Sequence, residues 1–526
     1  MAISTGYADV HQGPLYKKAV ADGLIPVSFY KDGGNYTKSG RSECWVATMT
    51  LLDLPPKLRS SAENVVYCGI WFGTIKPDWD IFFDYVELST LAQSIAVIQL
   101  IADIPARQSL LKLINVPGYF PCAKCTIRGD KKGKAATVYS SHVFELRRQL
   151  DFNEGDGPGM RGKCYLSDYV TLPDAITTDS MHTGLIGIIK DDTKRVFNGY
   201  ENGPKAKKLS SDCVKQLNGW IENLKVCWPS EFERKLRPTT DFKHWKATEW
   251  KLWALFVIPT FLLKVLSSVT GSEGTLRRRQ GLSMLKFSAA LHLLVQNEVS
   301  NDDLATAKAI LEDWYKERAK IWSPAAHTYK AHEMMHITDQ IKVHGPLHKH
   351  SAFAGENIVG VVGRLISCKT STVSAKQIRE RLSLLRKTQE WARLNGDERV
   401  ARAICNAPAF KGLEQFYVRE SLCPSGTFWI EKFMEANCTS LKDMYMWNAS
   451  LSTLQIDKEF FLNFVKAQSE GFQITIVMRK GTNLNRIVKL RNELLDEHFE
   501  CVNLYEKKNV TICYGELEWY YILRAD

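Results

Sequence analysis

Short blocks of apolar positions dominate the first hundred residues, and a helical period takes over later in the chain. Ile25 to Lys31 reads as a strand that Gly33-Gly34-Asn35 turns back. Cys44 to Leu52 and Val65 to Phe72 read as two more strands with Pro55-Pro56 in their connection, so the three form an antiparallel meander. Phe82 to Ser94 fits a helix. Ile95 to Ala102 is almost wholly apolar, as in a strand covered on both faces, and ends at Asp103. From Ser210 to Lys320 the period is helical, and Trp220, Trp228, Trp245, Trp250, Trp253 and Trp314 are expected mainly in its core. The apolar run Leu252 to Leu263 contains Pro259 and is short for a bilayer span, so a buried helix is expected and no membrane. Further on, Ser374 to Asn395 reads as a basic amphipathic helix. Strands at Phe472 to Met478, Val510 to Tyr514 and Leu517 to Ile522 surround a helix at Leu484 to His498, and a small α+β C-terminal region is expected.

The order strand, strand, strand, helix, strand carries Asp32 on the first strand and Asp103 at the end of the fourth. If those strands are neighbours, two carboxylates meet at one sheet edge. With a third carboxylate such a pair can hold two divalent cations against a phosphodiester, which is the ribonuclease-H-like plan. Taken singly, Asp32 beside two glycines is a turn residue and Asp103 before Pro105 is a helix N-cap.

Composition narrows the class. The 526 residues, 45% hydrophobic and 11% aromatic, are ample for folded cores. Lys and Arg exceed Asp and Glu by 69 to 58, a formal charge of +11 that suits a polyanionic partner. Thirteen cysteines without a dense framework fit a reducing cytosolic or nuclear compartment. MAISTGYADVHQG lacks the charged and apolar blocks of a secretory signal.

Ala331 to Asn357 supports two chemistries. His332-Glu333-Met334-Met335-His336 is an HExxH match, the zinc-and-base arrangement of a metalloprotease, with Glu356 available as third ligand. Alternatively the two histidines join Cys122 and Cys125, a CxxC pair, in a Cys2His2 zinc site. That set has no open position, so its zinc is structural and Glu356 is free for another metal, with Glu333 an incidental helix residue. CxxC by itself is often just a pair of small buried hydrophobes.

Several segments in one order resemble the DDE transposases of the CACTA (En/Spm) type, in the group that includes Mirage and Chapaev and, more distantly, Transib and the V(D)J recombinase catalytic subunit. Asp32-Gly33 with Lys38-Ser39-Gly40 is similar to the family's first-aspartate segment, and Gly69 to Gly73 with Lys76-Pro77 to its third strand. Asp103 to Arg107 resembles the second-aspartate segment, and Gly118 to Cys122 with Cys125 the CxxC. Asp179-Ser180-Met181-His182 resembles its DxxH segment, Lys243-His244-Trp245 a motif of its helical insertion, and Gly345-Pro346-Leu347 through Glu356-Asn357 its catalytic-glutamate segment. The resemblance covers about residues 26 to 356.

The resemblance implies an α/β ribonuclease-H-like core with a large, mostly helical insertion. The expected divisions are an N-terminal arm (1–24), a first core part with the CxxC (25–126), the helical insertion (127–325), a segment completing the core (326–370) and a C-terminal region (371–526). Asp32, Asp103 and Glu356 would bind two Mg²⁺ or Mn²⁺ ions, His182 would approach the scissile phosphate, and Cys122, Cys125, His332 and His336 would hold zinc. Cys122 and Cys125 follow Asp103 by 19 and 22 residues, and His332 and His336 precede Glu356 by 24 and 20. One zinc would thus clip together both halves of the site and offset the entropy of closing the long loop between them. The implied activity is DNA cleavage at element ends and strand transfer into target DNA, on double-stranded DNA, in the nucleus, by a dimer or larger assembly. Lys38, Arg107, Lys131, Lys132, Arg277, Arg278 and Arg279 are candidate phosphate contacts, although short basic runs are usually solvated loops. The competing readings are a domesticated DNA-binding or scaffold protein on the same fold and the zinc metalloprotease. No zinc-finger or helix-turn-helix pattern stands out ahead of the first strand.

Overall fold

The computed structural model describes residues 6–366 except 36–42, 60, 62–63, 74, 132–136, 142–143, 201–206, 226–227 and 229–233; beyond them it describes 376–383, 405, 408–419 and 426–524 except 497, 502–507 and 516. The protein is mixed α/β and divides into two units, Met1–Val361 and Val362–Asp526.

The first unit is built on β1 (Ile25–Asn35), β2 (Glu43–Leu51), β3 (Val65–Gly73) and β4 (Ile95–Ala102), in the sheet order β3-β2-β1-β4. The β1–β2 and β2–β3 pairs are antiparallel, while β4 lies parallel to β1, with Lys31 opposite Ala102. A strand's side chains alternate between faces. Val27, Phe29, Trp45, Ala47, Met49 and Leu100 therefore share one face and pack with Trp79, Phe82 and Phe83. Ser28, Tyr30, Asp32, Thr48, Thr50 and Gln99 take the other. Outside β4 the sheet adds a single parallel bridge at Ile176, where the Leu100 N–H donates to the Ala175 carbonyl at 2.7 Å. The expected helix over 82–94 is two pieces, Trp79–Tyr85 and Leu88–Leu91, because Glu87 takes a left-handed φ of 52° that breaks the period.

The expected helical insertion, 127–325, has two characters. Residues 127–178 form only short elements, and Phe152, Leu166, Leu172 and Ala175 join the sheet's own core. Continuous helix starts at Ser180. From there a second core gathers Trp250, Trp253, Trp314 and Trp322, packed around the long helices α2 (Gly274–Leu294) and α3 (Asn301–Ile321). The helical stretch Ala247–Ser268 is long and apolar enough to cross a membrane, and half of its most apolar window is buried within the fold. Pro259 sits inside its π-helical part, Trp253–Leu262, where a wide turn accommodates the missing N–H. A buried ion pair fixes α3: Arg318 donates to both carboxylate oxygens of Asp192 at 2.8 and 2.9 Å.

The second unit differs from the α+β expectation. Its strands β5 (Gln415–Arg419), β6 (Asp443–Ala449), β7 (Gln473–Met478) and β9 (Asn509–Tyr514) are parallel neighbours. Only β10 (Leu517–Leu523) and β8 (Phe499–Cys501) run antiparallel, at one edge. Helices Gly426–Glu435, Lys458–Ala467 and Leu484–Leu494 connect successive parallel strands, as parallel pairing requires. The first two strands escaped the sequence reading because polar and apolar residues mix within them. Of the expected helix over 374–395, residues 376–383 are helical and the others lie outside the described residues.

Candidate metal and carboxylate sites

Two clusters of titratable side chains stand in the first unit, of which the first could hold a metal ion. In one, the donor atoms of Cys122, Cys125, His332 and His336 all lie within 4.8 Å of one another, and all four residues are buried. Thr328 caps the short helix Tyr329–Glu333 through the Ala331 N–H, and the chain tightens to a 3-10 turn over Met334–His336, which aims both Nε2 atoms at the thiols. The separations are 3.6 Å for Cys122 Sγ to His336, 3.3 Å for Cys125 Sγ to His332 and 3.2 Å between the imidazoles. A tetrahedron with Zn–S of ~2.3 Å and Zn–N of ~2.0–2.1 Å has edges of roughly 3.3–3.8 Å, so the donor set fits a metal such as zinc. Burial pushes the Cys122 thiol up, but the Cys125 hydrogen bond and the adjacent histidines outweigh it and hold the group well below its ordinary range. A thiolate is the form that ligates.

Glu333 has a structural task that its sequence context did not reveal. It is buried, ion-paired with Arg107, and accepts from the Thr183 hydroxyl at 2.9 Å. Arg107 also donates to the Thr177 carbonyl at 2.9 Å. This one carboxylate thus ties the zinc-side helix to the helix that follows Asp103 and to the segment carrying His182. Glu333 is thus engaged by Arg107 and Thr183, and the two imidazoles of the HExxH match face two thiols.

The second cluster is carboxylate-rich. Lys31 pairs with Ala102, so Asp32 and Asp103 stand abreast just past the last β1–β4 pair. Asp103 N-caps helix α1 (Ile104–Leu110), accepting from the Ala106 N–H at 2.7 Å, so its capping and site placement coexist. Asp32 accepts from the Gly33 N–H at 2.7 Å and from the Tyr30 hydroxyl at 3.3 Å. Glu356 comes from α4 (Phe353–Arg364), which presses on β1 through Gly355. A Cβ there would meet the Tyr30 ring at 2.2 Å, so only glycine lets the helix bring Glu356 against Asp32. Burial, then the charges of Glu356 and Asp103, push the Asp32 carboxyl up to about 7. Glu356 is lowered, chiefly by its hydrogen bond from His182.

His182 is wedged between carboxylates: Nδ1 lies 2.6 Å from Asp179 and Nε2 3.3 Å from Glu356. Burial alone would lower its pKa, but hydrogen bonds and charge from both carboxylates raise it to about 10. Asp179 is buried and also accepts the backbone N–H groups of Met181, His182 and Ala352, so it orients the histidine and joins two distant segments.

Lys31 went unnoticed in the sequence. It points to the apolar face, fully buried between the Trp45 and Trp79 rings, with Nζ 4.2 and 3.7 Å from their centroids. Burial lowers it to about 7 against the opposing charges of Asp103 and Asp32.

The candidate phosphate contacts separate. Arg107 and Arg277 are buried: Arg107 pairs with Glu333, and Arg277 donates to the carbonyls of Val196 and Lys207, so neither is available to DNA. Lys131, Arg278 and Arg279 are exposed. Lys38 and Lys132 lie outside the described residues. Of the Lys243-His244-Trp245 motif, His244 pairs with Asp241 at 2.6 Å and Trp245 is buried against Trp250 and Trp253. The chain matches no protein-family model and no curated protein.

Proposed function

We propose that this chain is a metal-dependent DNA strand transferase of the DDE type on a ribonuclease-H-like core. The observation that carries the reading is the meeting of Asp32, Asp103 and Glu356, three sequence-distant carboxylates, at one end of a β3-β2-β1-β4 sheet. An acidic trio that raises one member's pKa to about 7 is costly to the fold, and such stored repulsion is characteristic of cation sites. All donors are oxygens, which suits Mg²⁺ or Mn²⁺. Such ions would supply an activated water, and later an activated 3′-hydroxyl, and would neutralise charge on the leaving oxygen.

The protein's own groups provide position and proton control. Asp32 is fixed by the Gly33 N–H and Tyr30, Asp103 by the first turn of α1, and Glu356 by the glycine contact of α4 with β1. His182, held by Asp179, carries a proton next to Glu356 and can donate a hydrogen bond to a phosphoryl oxygen that approaches the trio. The Cys2His2 cluster and the Arg107–Glu333 pair keep the sequence-distant contributors in register. The reading brings with it double-stranded DNA as substrate, a dimer or larger assembly and a nuclear site of action.

The test is cleavage and joining of labelled duplexes carrying candidate element ends, with Mg²⁺ or Mn²⁺, comparing wild type with Asp103→Asn and Glu356→Gln. Metal-dependent nicking that falls by about a thousandfold or more in both variants supports the proposal. Binding without cleavage under all conditions sinks it in favour of a DNA-binding scaffold.

A further inference from the structure

Glu356 stands at one end of a cavity of about 1330 Å³ that continues down the polar face of the sheet and beneath the helical layer. Its floor includes a row across three strands, Thr50, Ser28 and Gln99, in direct register. Gln99 is 1% exposed, and among the described residues neither its amide N–H₂ nor its carbonyl oxygen has a hydrogen-bond partner. The indole N–H of Trp245, on the opposite wall and also buried, is equally without one. Burying such groups unpaired is unfavourable, so a buried donor-and-acceptor pair lining a cavity marks a place for a polar occupant.

The walls describe that occupant's charge. Lys57, Lys190, Lys246, Lys251 and Lys349 line the cavity, and none is ion-paired among the described residues. Among the lining residues only Glu356, at the metal end, is acidic. A cationic channel with a neutral amide at its floor suits a chain of phosphates carrying polar bases. Phe353 adds aromatic surface on which a base can rest. Gln99 lies four residues beyond Asp32 in strand register, about 13 Å at ~3.3 Å per residue, or roughly four stacked nucleotide steps.

We infer that this cavity takes a single, unpaired nucleic-acid strand whose phosphates run along the lysines, and that the Gln99 amide contacts one base about four nucleotides from the phosphate at the carboxylates. The inference rests on the function proposed above and adds the form of the substrate: the strand enters the site unpaired. A glutamine amide presents one donor and one acceptor side by side, so it discriminates among base edges.

The experiment uses the full zinc-loaded chain without Mg²⁺ and measures anisotropy of labelled eight-nucleotide single strands of each base composition and of an eight-base-pair duplex. Single strands are expected to bind with strong salt dependence, and Lys251→Glu with Lys349→Glu to weaken binding at least tenfold, whereas Lys17→Glu with Lys18→Glu, exposed and away from the cavity, changes it less than twofold. Gln99→Leu, which is close in size and removes only the polar atoms, is expected to flatten the preference among bases about fivefold or more. Duplex binding without single-strand binding, indifference to the lysine reversals, or equal displacement of the strand by polyglutamate overturns the inference. An unchanged base preference in Gln99→Leu overturns the base contact. Metal-dependent nicking by a protein that ignores single strands leaves the proposed function standing and removes only this inference; single-strand binding without any nicking does the reverse.

Discussion

The two metal-type clusters of the first unit are opposites. Cys122, Cys125, His332 and His336 are buried, with their donor atoms within 4.8 Å of one another. Asp32, Asp103 and Glu356 gather like charges, with Glu356 40% exposed and open to a cavity. A closed metal site returns its binding energy to the fold, whereas a gathering of carboxylates stores repulsion that a proton or a cation can relieve. Their connection is Glu333, which sits beside a zinc-type histidine yet binds the helix that begins at Asp103.

The sharpest way to break this contrast is to remove a thiol. Structural zinc contributes apparent energies of ~10–16 kcal/mol in small zinc domains, so Cys122→Ser with Cys125→Ser should lose bound metal and the cooperative melting of the first unit. Elemental analysis and calorimetry check this, and a folded, metal-loaded double variant would contradict a zinc staple. Next in size is Arg107→Met, which strands the Glu333 carboxylate in the interior and should cost about 3–5 kcal/mol. Adding Glu333→Gln should recover part of that loss in chemical denaturation, because the buried charge is then gone.

Gly355→Ala acts on the other cluster. Its methyl group meets the Tyr30 ring, so stability should fall by about 1–3 kcal/mol. Strand cleavage should drop further, by about a hundredfold, because a shift of roughly 1 Å in Glu356 misplaces it. Unchanged turnover would mean that the close helix–strand contact does not position the glutamate. The smallest effect is expected from Asp32→Asn, which should raise the melting temperature of the Mg²⁺-free protein by about 1–3 °C. The sign follows from linkage. The folded pKa near 7 lies above the unfolded value of ~3.9, so the native state binds the extra proton and loses stability as pH rises between them. The gain from Asp32→Asn should therefore be larger at pH 8 than at pH 5. A loss at both would show that the carboxylate supports the fold.

Legibility in the sequence followed the range of the interactions. The strand at Ile95–Ala102 was found to the residue because its apolar run ends in a capping aspartate. The strands Gln415–Arg419 and Asp443–Ala449 were missed because each has one covered face and one exposed face bearing Tyr417 and Trp447, so aromatic residues stand where polar ones mark solvent. Arg107 and Arg277, candidate phosphate contacts by sequence, are interior because a guanidinium's burial depends on partners far along the chain, here Glu333 and the carbonyls of Val196 and Lys207. Lys31 was invisible for the same reason, since Trp45 and Trp79 come from separate elements.

By itself the sequence determined the local elements of the sheet, the donor types of both clusters and the spacings that put two histidines on one side of a helical turn. These depend on residues close together, where periodicity, capping and glycine conformation act. Tertiary structure alone decided that β4 pairs parallel with β1 and sets Asp32 beside Asp103, that Gly355 admits Glu356, and that Glu333 is a buried staple. It also decided that Gln99 faces a lysine-lined cavity. Each of these depends on contacts between segments far apart in the chain, and a pattern of residues carries no record of such contacts until packing selects them.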